Sequence, residues 1–390
     1  MPLGIAGRQH ESNFTLAGIS EVWTRRPMRV LICGGGVIGA SIAWFLAKRG
    51  AEPVVIERTG VANAASGKSG GFLALDWCDG MALAPLARRS FALHASLAEE
   101  IADDWGYRHL VTYGGHAGAR TRRGRALAWL ADDFAVTQRL GSTETTAQVH
   151  PGRFTAAMMR AAEAKGAALR PGRVTGLARQ GRRVTGVTAD GGTIEGDAVV
   201  IAMGPWSILA GHWLPLPAVY GLKGHSLVFD TGTSVPAEAL FAEYREPTGA
   251  LSTPEVFPRD DGTTYVCAIS SDTPLPVDPA NVAPDPGAIE RLEGICRRLS
   301  PVLAKAKVLA AQACYRPVTQ DGLPLLGRVA GLDNAYVATG HSVWGILNAP
   351  ATGEAMAELI LDGTARSVDL SPFDPARLPL LDTKSLRIGA

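Results

Sequence analysis

Residues 29–57 read RVLICGGGVIGASIAWFLAKRGAEPVVIE. Arg29–Cys33 is a short apolar run of the kind that forms a buried parallel strand. Gly34, Gly36 and Gly39 follow it as G-x-G-x-x-G. Residues 40–49 then have helical character and stop at Gly50, a good C-terminal glycine. Pro53–Ile56 is a second apolar strand, ending at Glu57. In such a strand-turn-helix-strand unit the first glycine permits the tight turn. The second lets the backbone approach a pyrophosphate, and the third lets helix and strand pack closely. The helix N-terminus offers free N–H groups to phosphate. An acidic residue that bonds a ribose hydroxyl is expected about 20 residues further on, and Glu57 stands there.

Working outward, the second strand leads into Ala64-Ala65-Ser66-Gly67-Lys68-Ser69-Gly70-Gly71 rather than into a continued strand–helix alternation. A small-residue loop of that kind suits a flavin's ribityl and phosphate groups better than a nicotinamide. A late return of strand, glycine and helix near 336–345 also favours a large cofactor held by distant parts of the chain, hence FAD.

A chain of 390 residues is too long for one simple core, so two lobes are expected. Its 38 basic and 37 acidic residues leave a formal charge of +1, which gives no reason to expect nucleic acid or an anionic membrane as partner. Cys33, Cys78, Cys267, Cys296 and Cys314 form no C-x-x-C pair, so no disulfide framework and a reducing, cytoplasmic compartment are expected. No apolar run reaches the ~20 residues of a membrane helix. The first 27 residues, with Arg8, Glu11, Glu21, Arg25 and Arg26, make a poor secretory leader. They read as a surface extension, or translation begins at Met28.

Further along, helices are expected over 82–104 (broken near Pro85), 119–140, Pro151–Lys165, Ile289–Leu299 and 345–362. Strands are expected at Gly166–Leu169, Arg173–Leu177, Arg183–Ala189, Thr193–Glu195 and Ala198–Ala202, with Gly191-Gly192 as a hairpin turn. Others are Val219–Phe229, Ala250–Phe257, Thr263–Ile269, parts of 308–327, and 336–339. Residues 274–286 are proline-rich and read as a loop.

Five ordered motifs carry a family resemblance: Ala64–Gly71; Ala202-Met203-Gly204-Pro205-Trp206; Gly221-Leu222-Lys223-Gly224; Arg316-Pro317 with Asp321, Gly322, Pro324 and Gly327; and Gly340-His341 with Gly345-Ile346. Together with the glycine turn they span about 28–363. They resemble the D-amino-acid oxidase-like FAD oxidoreductases, the relatives of glycine oxidase and sarcosine oxidase. Leu73–Asp79 and Trp344–Gly353 look closer to a poorly characterised branch of FAD oxidoreductases. The resemblance implies an α/β fold: a Rossmann-like FAD-binding domain (28–105, 150–215 and 310–370) interleaved with a mixed-sheet α+β substrate domain (106–149 and 216–309). A tail over 371–390 completes the chain. It also implies oxidation of the C–N bond of a small amine or amino acid to an imine, by hydride transfer to flavin N5. Oxygen or an electron carrier then takes the electrons. A flavoprotein with an interaction or trafficking role is the alternative from another class.

By the same resemblance Arg316 grips a substrate carboxylate, since a guanidinium makes two parallel hydrogen bonds to one; the competing reading pairs it with Asp321 or Asp333. Glu255 stands where relatives place a pocket tyrosine. It meets a substrate ammonium or is a solvated loop residue. Cys314 falls where sarcosine oxidase-like members link flavin covalently, although Arg316-Pro317 resembles members with non-covalent FAD. His341 precedes a helix whose free N–H groups near Gly345 would face flavin N1. Other expected cofactor contacts are Val37, Ile38, Arg58, Ala65, Ser66, Lys68, Ser69, Gly70, Gly71, Val174, Gly204, Trp206, Gly340, Val343, Trp344 and Ile346. Lys223, His225 and Tyr244 are weaker pocket candidates. No metal-ligand spacing, nucleophile elbow or P-loop appears.

Overall fold

The computed structural model describes residues 26–118 and 127–385. Its first sheet has six strands in the order Leu325–Arg328, Ala335–Thr339, Ala198–Ile201, Arg29–Cys33, Glu52–Glu57, Ala168–Pro171. All pairs are parallel except the Leu325–Arg328 edge. The central strands are buried on both faces, which is why they read as apolar runs without alternation. Val30, Ile32 and Val55 join one core with the helices Val37–Lys48, Ala84–Glu100, Pro151–Ala164 and Gly345–Asp362. Leu31, Cys33, Val54 and Ile56 point the other way, into a core shared with Val184 and Val187 of the three-stranded antiparallel sheet over 174–195.

The second large sheet is mixed. It runs Lys307–Val318, Tyr220–Asp230, Thr263–Ser271, Glu255–Pro258, Glu238–Arg245, Val111–His116, Ala135–Gly141. Only the Glu238–Arg245 and Val111–His116 pair is parallel. The expected boundary at 310 falls inside Lys307–Val318, which pairs along its length with Tyr220–Asp230.

Four expectations are corrected. The helix at 82–104 is one unbroken helix, Ala84–Glu100, because Pro85 sits in its first turn, where its missing N–H has no partner to lose. The helix over 119–140 is not formed where it is described: 127–134 are turns and irregular chain, and Ala135–Gly141 is an edge strand. Its exposed Thr137, Gln138 and Arg139 mimic a solvated helix face. Residues 119–126 lie outside the described residues. The hairpin turn is Asp190-Gly191, both at positive φ (39° and 83°), one residue before the expected pair. Ala250–Phe257 is two strands interrupted at Thr253-Pro254, where proline cannot donate to the ladder.

Gly345–Asp362 contains Pro350, so the carbonyl of Ile346 loses its helical donor. His94, from helix Ala84–Glu100, fills the gap: Nε2 lies 3.0 Å from the Ile346 oxygen and 3.2 Å from that of Leu347. Carbonyls only accept, so Nε2 carries the proton. Ser90 Oγ accepts from the Ala351 N–H at 3.0 Å. His94→Phe therefore strands two buried carbonyls and is expected to cost about 1–3 kcal/mol. Burial also lowers the His94 pKa from 6.5 to about 4. The unfolded chain then binds the extra proton between those values, so stability is present above 6.5 and falls as pH drops toward 4. Urea denaturation at pH 7 and pH 5 should show a loss on the order of 2 kcal/mol from His94 alone. His341, lowered to about 3 by burial, adds a loss of the same sign. The pH difference should therefore be smaller in His94→Phe, and an equal one would refute this assignment.

Candidate functional site

A cavity of about 710 Å³ lies at the C-terminal ends of the parallel strands, the place where open α/β sheets take ligands. On that side Gly34 has φ +114°, and a Cβ there would sit 2.4 Å from the Ala202 oxygen. Gly36 precedes the helix and faces Ser66 Oγ, which accepts from the Val37 N–H at 2.9 Å. Glu57 Oε2 accepts from the Gly35 N–H at 2.6 Å, and Oε1 accepts from the Thr59 N–H at 2.8 Å. Thr59 Oγ1 and the Gly60 N–H also donate to Oε1, at 3.1 and 3.3 Å, so the carboxylate is fixed at the strand end and Oε2 keeps a lone pair for a further donor. The small-residue loop must be small: a Cβ on Gly70 would lie 2.2 Å from the Phe257 ring, and one on Gly71 would lie 2.0 Å from the Val149 oxygen.

The second sheet supplies the opposite wall. Cys314 and Arg316 are two apart on one strand and so share a face. Cross-strand register aligns Phe241 with Glu255, Glu255 with Cys267, and Phe257 with Tyr265. All seven side chains line the cavity. Asp321 pairs with Arg377 at 2.7 Å and Asp333 with Arg182 at 3.1 Å, so neither holds Arg316. Among the described residues Arg316 has no carboxylate at ion-pair distance; its nearest polar partner is Ser270 Oγ at 3.5 Å. Burial raises the Glu255 carboxyl above its usual range, against the opposing pull of Arg316 and the Cys267 thiol 3.6 Å away. Glu255 is thus a half-buried strand residue and not a solvated loop residue. Burial likewise raises the Cys314 thiol, against Arg316 and Lys68.

His341 is 3% exposed and bonded through Nε2 to Thr352 Oγ1 at 3.0 Å. Its Nδ1, and Ser69 Oγ, are buried without a partner among the described residues, and both residues line the cavity. Val343, Trp344, Gly345 and Ile346 carry the start of the last helix onto the wall, beside Gly204 and Trp206. Val37, Ile38, Arg58, Ala65, Ser66 and Val174 are there as well. Gly39, Lys68 and Gly340 do not line the cavity. Gly39 lies under the turn, and Gly340, at φ +82°, packs on Thr319. Lys223 is pinned to Asp285 at 2.6 Å, and Tyr244 packs in the core on the other side of the sheet. His225 reaches the cavity, with Nδ1 3.1 Å from the Ile269 oxygen.

Two parts of the wall were not anticipated. One is a set of aromatic rings, Phe72, Trp77, Phe241, Phe257 and Tyr265. The other is the proline-rich loop. Arg58 donates to the Val277 oxygen and pairs with Asp278, while Trp206 Nε1 donates to the Pro276 oxygen at 2.8 Å. Prolines leave that loop few donors of its own, so side chains on both walls fasten it. No cluster of metal-ligating side chains occurs among the described residues, and no described helix is long and apolar enough to cross a membrane.

A cavity with a glycine turn, a helix N-terminus and buried polar atoms on its wall fits a flavin dinucleotide. Comparison with known proteins agrees. The profile of the DAO family, FAD dependent oxidoreductase, matches residues 29–359. Glycine oxidase of Geobacillus kaustophilus is 28% identical, with 89% of this chain and 96% of that protein covered. Its crystal structure superposes with a TM-score of 0.75 at 26% identity, covering 90% of this chain and 99% of that one. A provisionally named oxidoreductase of Schizosaccharomyces pombe is 28% identical over 89% of this chain and 97% of its own length. The chain belongs to the DAO family of FAD-dependent oxidoreductases and is an enzyme with FAD as its cofactor.

Proposed function

We propose that this enzyme oxidises the C–N bond of a small amine or amino acid to an imine. The observation that carries the reading is the unpaired Arg316 guanidinium on the cavity wall, on the same sheet face as Glu255. FAD, when bound, supplies the two-electron acceptor for a hydride from the carbon next to nitrogen. Arg316 binds the substrate carboxylate through two parallel hydrogen bonds and fixes that carbon's position. Glu255 faces the amine and holds its nitrogen in place. His341, kept neutral by burial and tied to Thr352, positions the turn that leads into the last helix. The N-terminus of that helix offers N–H groups to negative charge developing beside it.

Gly34, Gly36, Val37, Ile38, Glu57, Arg58, Ala65, Ser66, Ser69, Gly70, Gly71 and Val174 would hold FAD, together with Gly204, Trp206 and His341–Ile346. Residues 28–105, 150–215 and 310–370 then serve mainly the cofactor, and 106–149 and 216–309 the substrate. The raised Cys314 thiol favours non-covalent FAD, because thiolate is the nucleophile. Five unpaired cysteines accord with a reducing, cytoplasmic compartment.

Acid precipitation should release yellow FAD to the supernatant. The purified holoprotein should then bleach anaerobically with at least one member of an amine and amino-acid panel. A flavin that no such compound reduces contradicts the reading. Oxygen uptake distinguishes an oxidase from an enzyme that hands its electrons to a carrier.

A further inference from the structure

We propose that the carboxylate bound at Arg316 belongs to a molecule with a large apolar side chain, seated against the aromatic wall. The inference rests on the reading of Arg316 as carboxylate anchor and deepens it. Phe72 lies 5.0 Å from Trp77, 5.2 Å from Phe241 and 5.3 Å from Phe257, ring centre to ring centre. Trp77 and Phe241 are 4.8 Å apart. These rings form one continuous patch, and all of them line the cavity. Phe72, Trp77 and Phe241 are half-buried and belong to the cavity lining. Aromatic surface on a cavity wall contributes binding where an apolar group packs on it.

The patch is also placed for the substrate. Phe241 stands directly across from Glu255, and Phe257 is two residues along the same strand and on the same face. A carbon held between Arg316 and Glu255 therefore has its substituent beside these rings. Among the described residues Glu255 and Arg316 are the only charged ones on this sheet's part of the wall; the other charged lining residues, Glu57, Arg58 and Arg173, belong to the glycine-turn side. A charged side chain would find no further partner among the described residues here, and a hydrogen atom, as in glycine, would not reach the patch.

The test titrates the holoprotein with unreactive carboxylates and follows the flavin absorbance. Acetate, 4-methylpentanoate and 3-phenylpropanoate form the ladder. 3-Phenylpropanoate is expected to bind about 50-fold more tightly than acetate, from transfer of its extra carbons. Phe241→Ala should reduce that ratio severalfold, as should Trp77→Ala made separately. Equal affinities along the ladder, or no binding by any of the acids, overturn the proposal. A ratio unchanged in both folded variants does so too. Anaerobic reduction by glycine, alanine, leucine and phenylalanine separates the two readings. Fast reduction by glycine with a flat ladder overturns this inference and keeps the oxidation reading. A steep ladder with no reduction by any amine or amino acid supports the apolar pocket and overturns the oxidation reading.

Discussion

Arg316→Ala is expected to lower kcat/KM for a carboxylate-bearing substrate by about a thousandfold while the purified protein remains yellow. Hydrogen bonds to a charged partner contribute about 1.5–3 kcal/mol each, and the planar guanidinium makes two to one carboxylate. Both are lost together, and every 1.4 kcal/mol is tenfold. The fold should not suffer. The carboxylates that might have claimed Arg316 structurally are bound elsewhere, Asp321 by Arg377 and Asp333 by Arg182. The melting temperature should therefore stay within a few degrees of the parent. Arg316→Lys restores the charge but not the fork, and should recover about a tenfold part of the loss. An amine without a carboxylate is the internal control, because its oxidation never used the fork. If alanine at 316 slows both substrates equally, the residue shapes the cavity and does not recognise a carboxylate. The Glu255 carboxyl loses its nearest cation in the same variant, so its pKa should rise further and any pH dependence it sets should move upward.

How much of this was legible in the sequence follows from what fixes each residue. The glycine turn reads directly because sterics admit no other residue type: Gly34 needs both a positive φ and clearance from Ala202. The closing helix reads directly from its apolar period and from Gly363 at its end. The strand Glu238–Arg245 was missed because its partner Val111–His116 lies far away in sequence and its own polar residues hide the alternation. The aromatic wall has no spacing to find, since its rings come from segments near 72, 241, 257 and 265 that only the fold joins. The Arg316 motif could be quoted from the sequence, yet its freedom could not. That freedom depends on Arg377 and Arg182, which stand 56 and 151 residues from the aspartates they occupy. Likewise Pro350 announces a broken helical bond, but the group that repairs it, His94, is more than 250 residues away. Local sterics were readable, whereas long-range partner choice was not.

Gly39→Ala is expected to abolish tight FAD binding. Alanine is the better helix former by about 1 kcal/mol, so propensity alone predicts a gain in stability. The steric term decides the sign. A Cβ at 39 would lie 2.0 Å from the Gly34 carbonyl oxygen and 3.3 Å from Ile32 Cγ2. Gly34 is held in place by its own N–H, which donates to the Ile56 oxygen at 2.9 Å. The first turn of helix Val37–Lys48 must therefore lift from the strand by about an ångström, which costs roughly 1–3 kcal/mol. That turn carries the N–H groups that meet the pyrophosphate, so the displacement falls where backbone geometry matters most. The variant should purify nearly colourless, with FAD affinity at least a hundredfold weaker by fluorescence titration. Added FAD should raise its melting temperature much less than the parent's, since the stabilisation depends on ligand concentration relative to Kd. Gly50→Ala is the control for backbone strain without crowding. Gly50 has φ +79° with nothing within 4 Å of an added Cβ, so it should lose about 1 kcal/mol of stability and keep its flavin. If the two variants hold FAD equally well, close helix–strand approach at Gly39 is not what builds the dinucleotide site.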